Sequence, residues 1–260
     1  LLLRLLAARF GPLLADPATA TPADLLAGAE MTQLVDSLLD TPQAADAVLT
    51  ALAVRLPDEG RARVWCEAIW QDGTANNPAL LPAATRLVRD GHLALDEARL
   101  RLKAVYAGAG SDQRAALAGW HLQQGDAEGA LEAATAKNAA NSTRAFLARA
   151  GALAVLERHD ELLTLGEAGS SAPSSLQAAI RAKALRSLGR VQKSDQAMRD
   201  ALRASAMEGT VGQVVEMADA MGASHIADEE ILGFCAQPPT ADGGFRLARD
   251  RFDRRGQFAS

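Results

Sequence analysis

Few side chains in this sequence are of a type and spacing that does chemistry. The four histidines, His92, His121, His159 and His225, form no His-x-x-x-His or His-Glu-x-x-His pair. No helix face therefore offers two imidazoles to a zinc ion, and the four read as turn or core residues. Cys66 and Cys235 match no zinc or redox spacing and read as small core residues, which leaves the redox compartment open. Gly108-Ala-Gly110 and Gly243-Gly244 lack the lysine, the serine and the flanking strand of a phosphate loop. Ser170-Ser171 and Ser174-Ser175 surround Pro173 in a connector, outside any Gly-x-Ser-x-Gly frame. The run Arg158-His159-Asp160-Glu161 reads as a polar turn whose acids open a helix, where negative charge suits the dipole. Asp228-Glu229-Glu230 reads as an acidic first turn, and Trp65, Trp70 and Trp120 as packing anchors. Arg246, Arg249, Arg251, Arg254 and Arg255, diluted by Asp250 and Asp253, read as a solvated helix face. The expectation is a chain with no catalytic, cofactor or metal residues.

The elements that would position any site are helices. Of 260 residues, 57 are alanine and 37 leucine, against 11 valines and 4 isoleucines, and aromatics are 4%. Alanine and leucine lead the helix scale, whereas strands favour β-branched and aromatic residues, so a sandwich or barrel is excluded and a βαβ sheet disfavoured. The chain is 48% hydrophobic and 23% charged, enough to bury a core. A net charge of −5 opposes the neutralisation of phosphates, so nucleic acid is not an expected partner. No apolar run is long enough for a membrane span. Arginine outnumbers lysine 23 to 4, which with the alanine load suggests a bacterial source. That leaves cytoplasm and periplasm equally open.

Turn-forming groups recur between the apolar helical stretches. They begin at Pro57, Gly91, Gly125, Arg158, Gly189, Gly222 and Gly256, at spacings of 34, 34, 33, 31, 33 and 34 residues. Glycine is the residue expected just past a helix end. Four residues before these anchors stand Ala53, Leu87, His121, Ala154, Leu185, Ala218 and Phe252. Five, nine and twelve residues after them stand Cys66 and Ile69 (with Ala62), Ser194, Met198 and Ala201, and Ala227, Ile231 and Phe234. With a two-residue insertion, Ala98, Leu102 and Val105 join the set. Each helix thus carries one small, apolar stripe. No single hairpin buries its own stripe, so neighbours must stack. The unit around Arg158 fits worst, with Glu167 and Ser170 at apolar places.

On these residues the sequence resembles the tetratricopeptide repeat family, a helix–turn–helix unit of about 34 residues. In the best unit, Ala115 to Leu131, hallmark places are held by Leu117, Ala118, Gly125, Asp126 and Ala130. Phe245, Ala248, Phe252 and Gly256-Gln257-Phe258 look equally typical. The units are degenerate: the family's tryptophan position reads Asp46, Leu80, Arg114, Leu147, Ala178 and Val211. The resemblance implies an all-α, right-handed superhelical solenoid of stacked antiparallel helix-turn-helix repeats over residues 42–260, the last truncated. Residues 1–41 would form an irregular leading helical region.

The resemblance also implies a non-enzymatic scaffold whose first helices line a concave groove for a partner protein or peptide. The lysines and asparagines with which one branch of the family grips a terminal carboxylate are absent. The expected groove is lined by Ala115, Gly119, Leu122, Ala148, Ala152 and Ala179, and turns charged at Lys183, Arg186 and Glu216. An alternative makes the chain the repeat segment of a larger enzyme or sensor, because it starts without methionine and stops inside a unit. The opening Leu-Leu-Leu-Arg-Leu-Leu-Ala-Ala-Arg-Phe is then an amphipathic helix by preference, or else a signal region or the tail of an upstream anchor.

Overall fold

The computed structural model of the chain describes residues 59–235, the side chains of residues 59–62, 65 and 72 apart. Among the described residues there are twelve α-helices and no strand. The expected leading region 1–41 and the turns near 57 and 256 lie outside them. The chain divides into two compact units between Gln113 and Arg114, a boundary nothing in the composition marks.

In the first unit, α1 (Glu59–Asp72) packs on α2 (Leu80–Arg89), which packs on α3 (Leu95–Val105). Cys66, Ile69, Leu87, Ala98 and Leu102 are buried there, at the places the periodicity assigns them, whereas Val105 is only half-buried; Leu80 is buried with them. Arg101 of α3 donates to the carbonyl oxygens of Trp70 (2.5 Å) and Gln71 (3.2 Å) and lies 4.5 Å over the Trp70 ring. The C-terminal end of α1, with its unpaired carbonyls and negative dipole end, is thus capped by a cation from another helix.

The second unit starts within α4 (Ser111–Gln123) and continues through α5 (Ala127–Ala133), α6 (Ala136–Asn141), α7 (Thr143–Val155) and α8 (His159–Glu167). It then runs through α9 (Ser174–Ser187), α10 (Val191–Glu208), α11 (Val211–Ala220) and α12 (Ser224–Cys235). Helix α9 packs on α8, α10 and α11, and α10 packs on α11 and α12. One core joins α9 to α12, with alanine at 179, 182, 197, 201, 218 and 227. Alanine costs no side-chain entropy and lets helix backbones approach closely, so the composition and this packing are one fact. Larger side chains, Leu176, Met198, Leu202, Val214 and Ile226, fill the remaining space.

Five turns near the expected anchors share one backbone geometry, and a sixth, at Gly209 (φ 70°, Thr210 N–H to Ser205 O at 3.2 Å), repeats it between α10 and α11. Gly91, Gly125, Gly189 and Gly222 are left-handed, with φ of 75°, 73°, 74° and 70°. The residue after each donates its N–H to the carbonyl five positions back: His92 to Leu87, Asp126 to His121, Arg190 to Leu185 and Ala223 to Ala218, all at 2.8 Å. This is the Schellman closure, in which carbonyls left over at the helix end find donors. The fifth left-handed residue is Glu157, φ 56°, followed by Arg158 N–H to Leu153 O at 2.9 Å.

That fifth turn corrects the expected register. The left-handed residue is Glu157, one before the anchor placed at Arg158. The described turns therefore stand at 91, 125, 157, 189 and 222. Counted from Glu157, the inward places fall on Leu153, Leu162 and Gly166, all buried, in place of Ala154, Leu163 and Glu167; the last place moves from Ser170 to Gly169, which is exposed beyond the end of α8. Glu167 is exposed. A real irregularity lies one unit earlier. The helix after Gly125 breaks in two, because Thr135 accepts from Asn138 N–H and starts α6, and Ser142 accepts from Ala145 N–H and starts α7.

Candidate functional site

Each histidine has a local role or none in common with the others. His121 is buried, and its Nδ1 lies 2.9 Å from Asp126 Oδ2. Asp126 Oδ1 accepts from Gly129 N–H at 2.9 Å and caps α5, so the three residues clip the hairpin shut. His92 is exposed in its turn, His159 opens α8 and His225 is exposed on α12. Among the described residues, no three His, Cys, Asp or Glu side chains gather in a way that could hold a metal ion. Cys66 is fully buried, and that burial pushes its thiol up to about 11. Trp70 and Trp120 are buried packing residues; the Trp65 side chain lies outside those described.

The two acidic motifs serve helices. Asp160 and Glu161 lie in the first turn of α8, and Arg158 pairs with Glu161 at 2.5 Å. Asp228-Glu229-Glu230 is not a first turn, because α12 begins earlier, at Ser224. Glu229 instead meets Arg199 at 2.6 Å, and Glu230 meets Arg203 through two bonds of 2.8 and 3.0 Å. These pairs bridge α10 and α12, as facing rows of opposite charge do. A third carboxylate, Glu208 at the end of α10, accepts from Ser174 N–H (3.1 Å), Ser174 Oγ–H (2.7 Å) and Ser175 N–H (3.0 Å). It caps α9, whose own Pro173 has no side-chain oxygen to do so. The Ser175 hydroxyl first, then the Ser174 hydroxyl and the two N–H groups, hold the Glu208 carboxyl down to about 2.

The eight expected groove residues separate into two groups. Ala115, Ala152 and Ala179 are 2%, 0% and 0% exposed, so they belong to the core and leave no surface for a ligand. A methyl group suits an interhelix crossing as well as a groove wall, and here packing takes it. Gly119, Leu122, Ala148, Lys183 and Arg186 keep partial exposure. Arg186, however, donates to Asp195 at 2.8 Å and to the carbonyl of Met221 at 2.9 Å, tying α9 to α10 and to the end of α11. It is engaged within the fold.

The corrected turns align a different stripe. Six and two residues before the left-handed residue stand Gly119 and Gln123 on α4, Gly151 and Val155 on α7, Lys183 and Ser187 on α9, and Glu216 and Ala220 on α11. The first of each pair is half-buried, or exposed in the case of Glu216, and the second is exposed in all four. Positions four apart share a helix face, so each of these four helices keeps one open strip at the same distance from its turn. Gly151 faces Leu122 of α4, whose Cδ1 would lie 3.4 Å from a Cβ added there. Val155 is a large apolar side chain left 65% exposed. Neither Lys183 nor Glu216 is ion-paired among the described residues. Gly151 and Val155 escape a reading of the sequence that starts from Arg158, and moving that anchor by one residue would have found them.

Comparison of the chain with protein-family models, with curated proteins and with solved structures gives no match. No helix among the described residues is long and apolar enough to cross a membrane.

Proposed function

We propose that the protein is a non-enzymatic helical-repeat scaffold, similar to tetratricopeptide repeats, which holds a segment of a partner protein along its first helices. In this reading the hairpins stack as a right-handed solenoid, and the strip from Gly119 to Glu216 is the inner, ligand-bearing surface. One observation carries it: of the left-handed turns, those at 91, 125, 157, 189 and 222 keep a regular spacing, with Gly209 outside it, and four of the five repeat the same open strip before them. A repeated open strip on stacked elements is the form in which solenoids present extended binding surfaces. Membrane insertion through a helix of the described region has no support.

The test is site-specific photo-crosslinking in the host cell. A benzophenone side chain at Val155 or Ser187 should give one discrete adduct. The same group at Gln192 or Gln196, exposed on α10, should give none. Equal adducts at all four positions, or none at Val155 and Ser187, would overturn the proposal.

A further inference from the structure

The open strip is not uniform along the fold. On α4 and α7 it offers no charge, only Gly119, Gln123, Gly151 and the exposed Val155. On α9 it offers one cation, Lys183, and on α11 one anion, Glu216. Helices α9 and α11 pack on each other, and Leu147 of α7 packs on the core that α9 shares. Lys183 and Glu216 hold the same register place on two packed helices, yet they form no ion pair with each other or with any described side chain. Their neighbours in the strip are otherwise engaged: Arg186 with Asp195 and the Met221 carbonyl, Asp219 with Ser224. Two opposite charges are thus left over, in a fixed order, beside an uncharged stretch.

From this we infer that the strip takes an extended peptide whose residues run apolar, then acidic, then basic. The inference rests on the groove reading and adds the chemistry of the occupant. The apolar side chain lies over Gly151 against Val155, the acid meets Lys183 and the base meets Glu216. Packed helices lie about 8–10 Å apart and an extended chain advances about 3.3 Å per residue, so one helix corresponds to roughly three peptide residues. Charge order, read in this way, selects partners more than it adds affinity, because exposed pairs are individually weak and screened by salt.

Two short fluorescent peptides of identical composition test it, titrated against the full chain by anisotropy at low salt. One carries leucine, an acid about three residues on and a base about three further. In the other, acid and base are exchanged. The acid-first peptide should bind about tenfold tighter at low salt, and the gap should shrink as salt is raised. The double variant Lys183→Glu/Glu216→Lys should reverse the preference, and Val155→Gln should weaken both peptides. If both peptides bind equally and the double variant changes nothing, while Val155→Gln still weakens them, the charge order is wrong and the groove stands. If neither peptide binds, or Val155→Gln is without effect, both readings fall.

Discussion

Glu157 stands at φ 56° where its four counterparts are glycine. A left-handed conformation costs a residue with a Cβ about 1–2 kcal/mol, partly offset because glycine loses more freedom on folding. Glu157→Gly should therefore raise stability by up to about 1 kcal/mol in urea unfolding; a loss of stability would contradict the turn geometry. Gly129 is constrained for another reason. A Cβ there would press on Asp126 Oδ2 and on His121 Nδ1, so Gly129→Ala should open the clip. The expected loss is about 1–3 kcal/mol, larger than that of Gly125→Ala, which meets no neighbour and suffers only backbone strain. At this scale the sequence was informative at Gly91, Gly125, Gly189 and Gly222, though it did not single out the left-handed Gly209. It was silent at Glu157, where the left-handed residue has a side chain and only the neighbours Leu162 and Gly166 betray the register.

Helix ends in this fold are finished by partners far away in sequence. Arg101 caps α1, Arg149 donates to the Ala134 carbonyl just past α5 at 3.0 Å, and Arg186 reaches the end of α11. Glu208 finishes the start of α9. No local pattern announces such contacts, because a capping side chain 15 to 35 residues away is indistinguishable in sequence from a solvated one. The helices and their inward stripes were legible from period and composition; their fastenings were not. The Glu208 cap has a measurable sign. Its carboxyl is held at about 2 in the fold against 4.5 as the ordinary value, so the cap's contribution is complete above pH 4.5 and fades as pH falls toward 2. Glu208→Gln should cost about 1 kcal/mol at neutral pH, the usual worth of a cap. Its unfolding free energy should then converge on that of the wild type as pH falls toward 2. Parallel curves across that window would show that the cap is not ionic.

For the molecule as a whole, the distribution of the core decides how damage spreads. Ala227 lies in the core shared by α9, α10, α11 and α12, whereas Ala130 lies in α5, outside it. Both are fully buried. Overpacking either with tryptophan should cost about 1–3 kcal/mol or more. Ala227→Trp should also speed amide exchange in α9, while Ala130→Trp should leave α12 protected, as expected when each element feels only its neighbours. Exchange that rises uniformly in both variants would mean a single cooperative block. The lining of the expected groove was the least legible feature at this scale. Alanine at 115, 152 and 179 satisfies a binding strip and a helix crossing equally well in sequence, and packing decides between them.

Cys66 and Cys235 are the chain's two cysteines, and they differ in what a reagent can reach. Cys66 is sealed inside α1 and, with its thiol at about 11, carries about one thiolate in a thousand at pH 8. Cys235, at the end of α12, is only half-buried. A maleimide added to the native protein should therefore couple once, at Cys235, and a second time only after denaturation, as intact mass would record. The wild-type chain then accepts a single dye or spin label at one end of the described fold without any cysteine being removed.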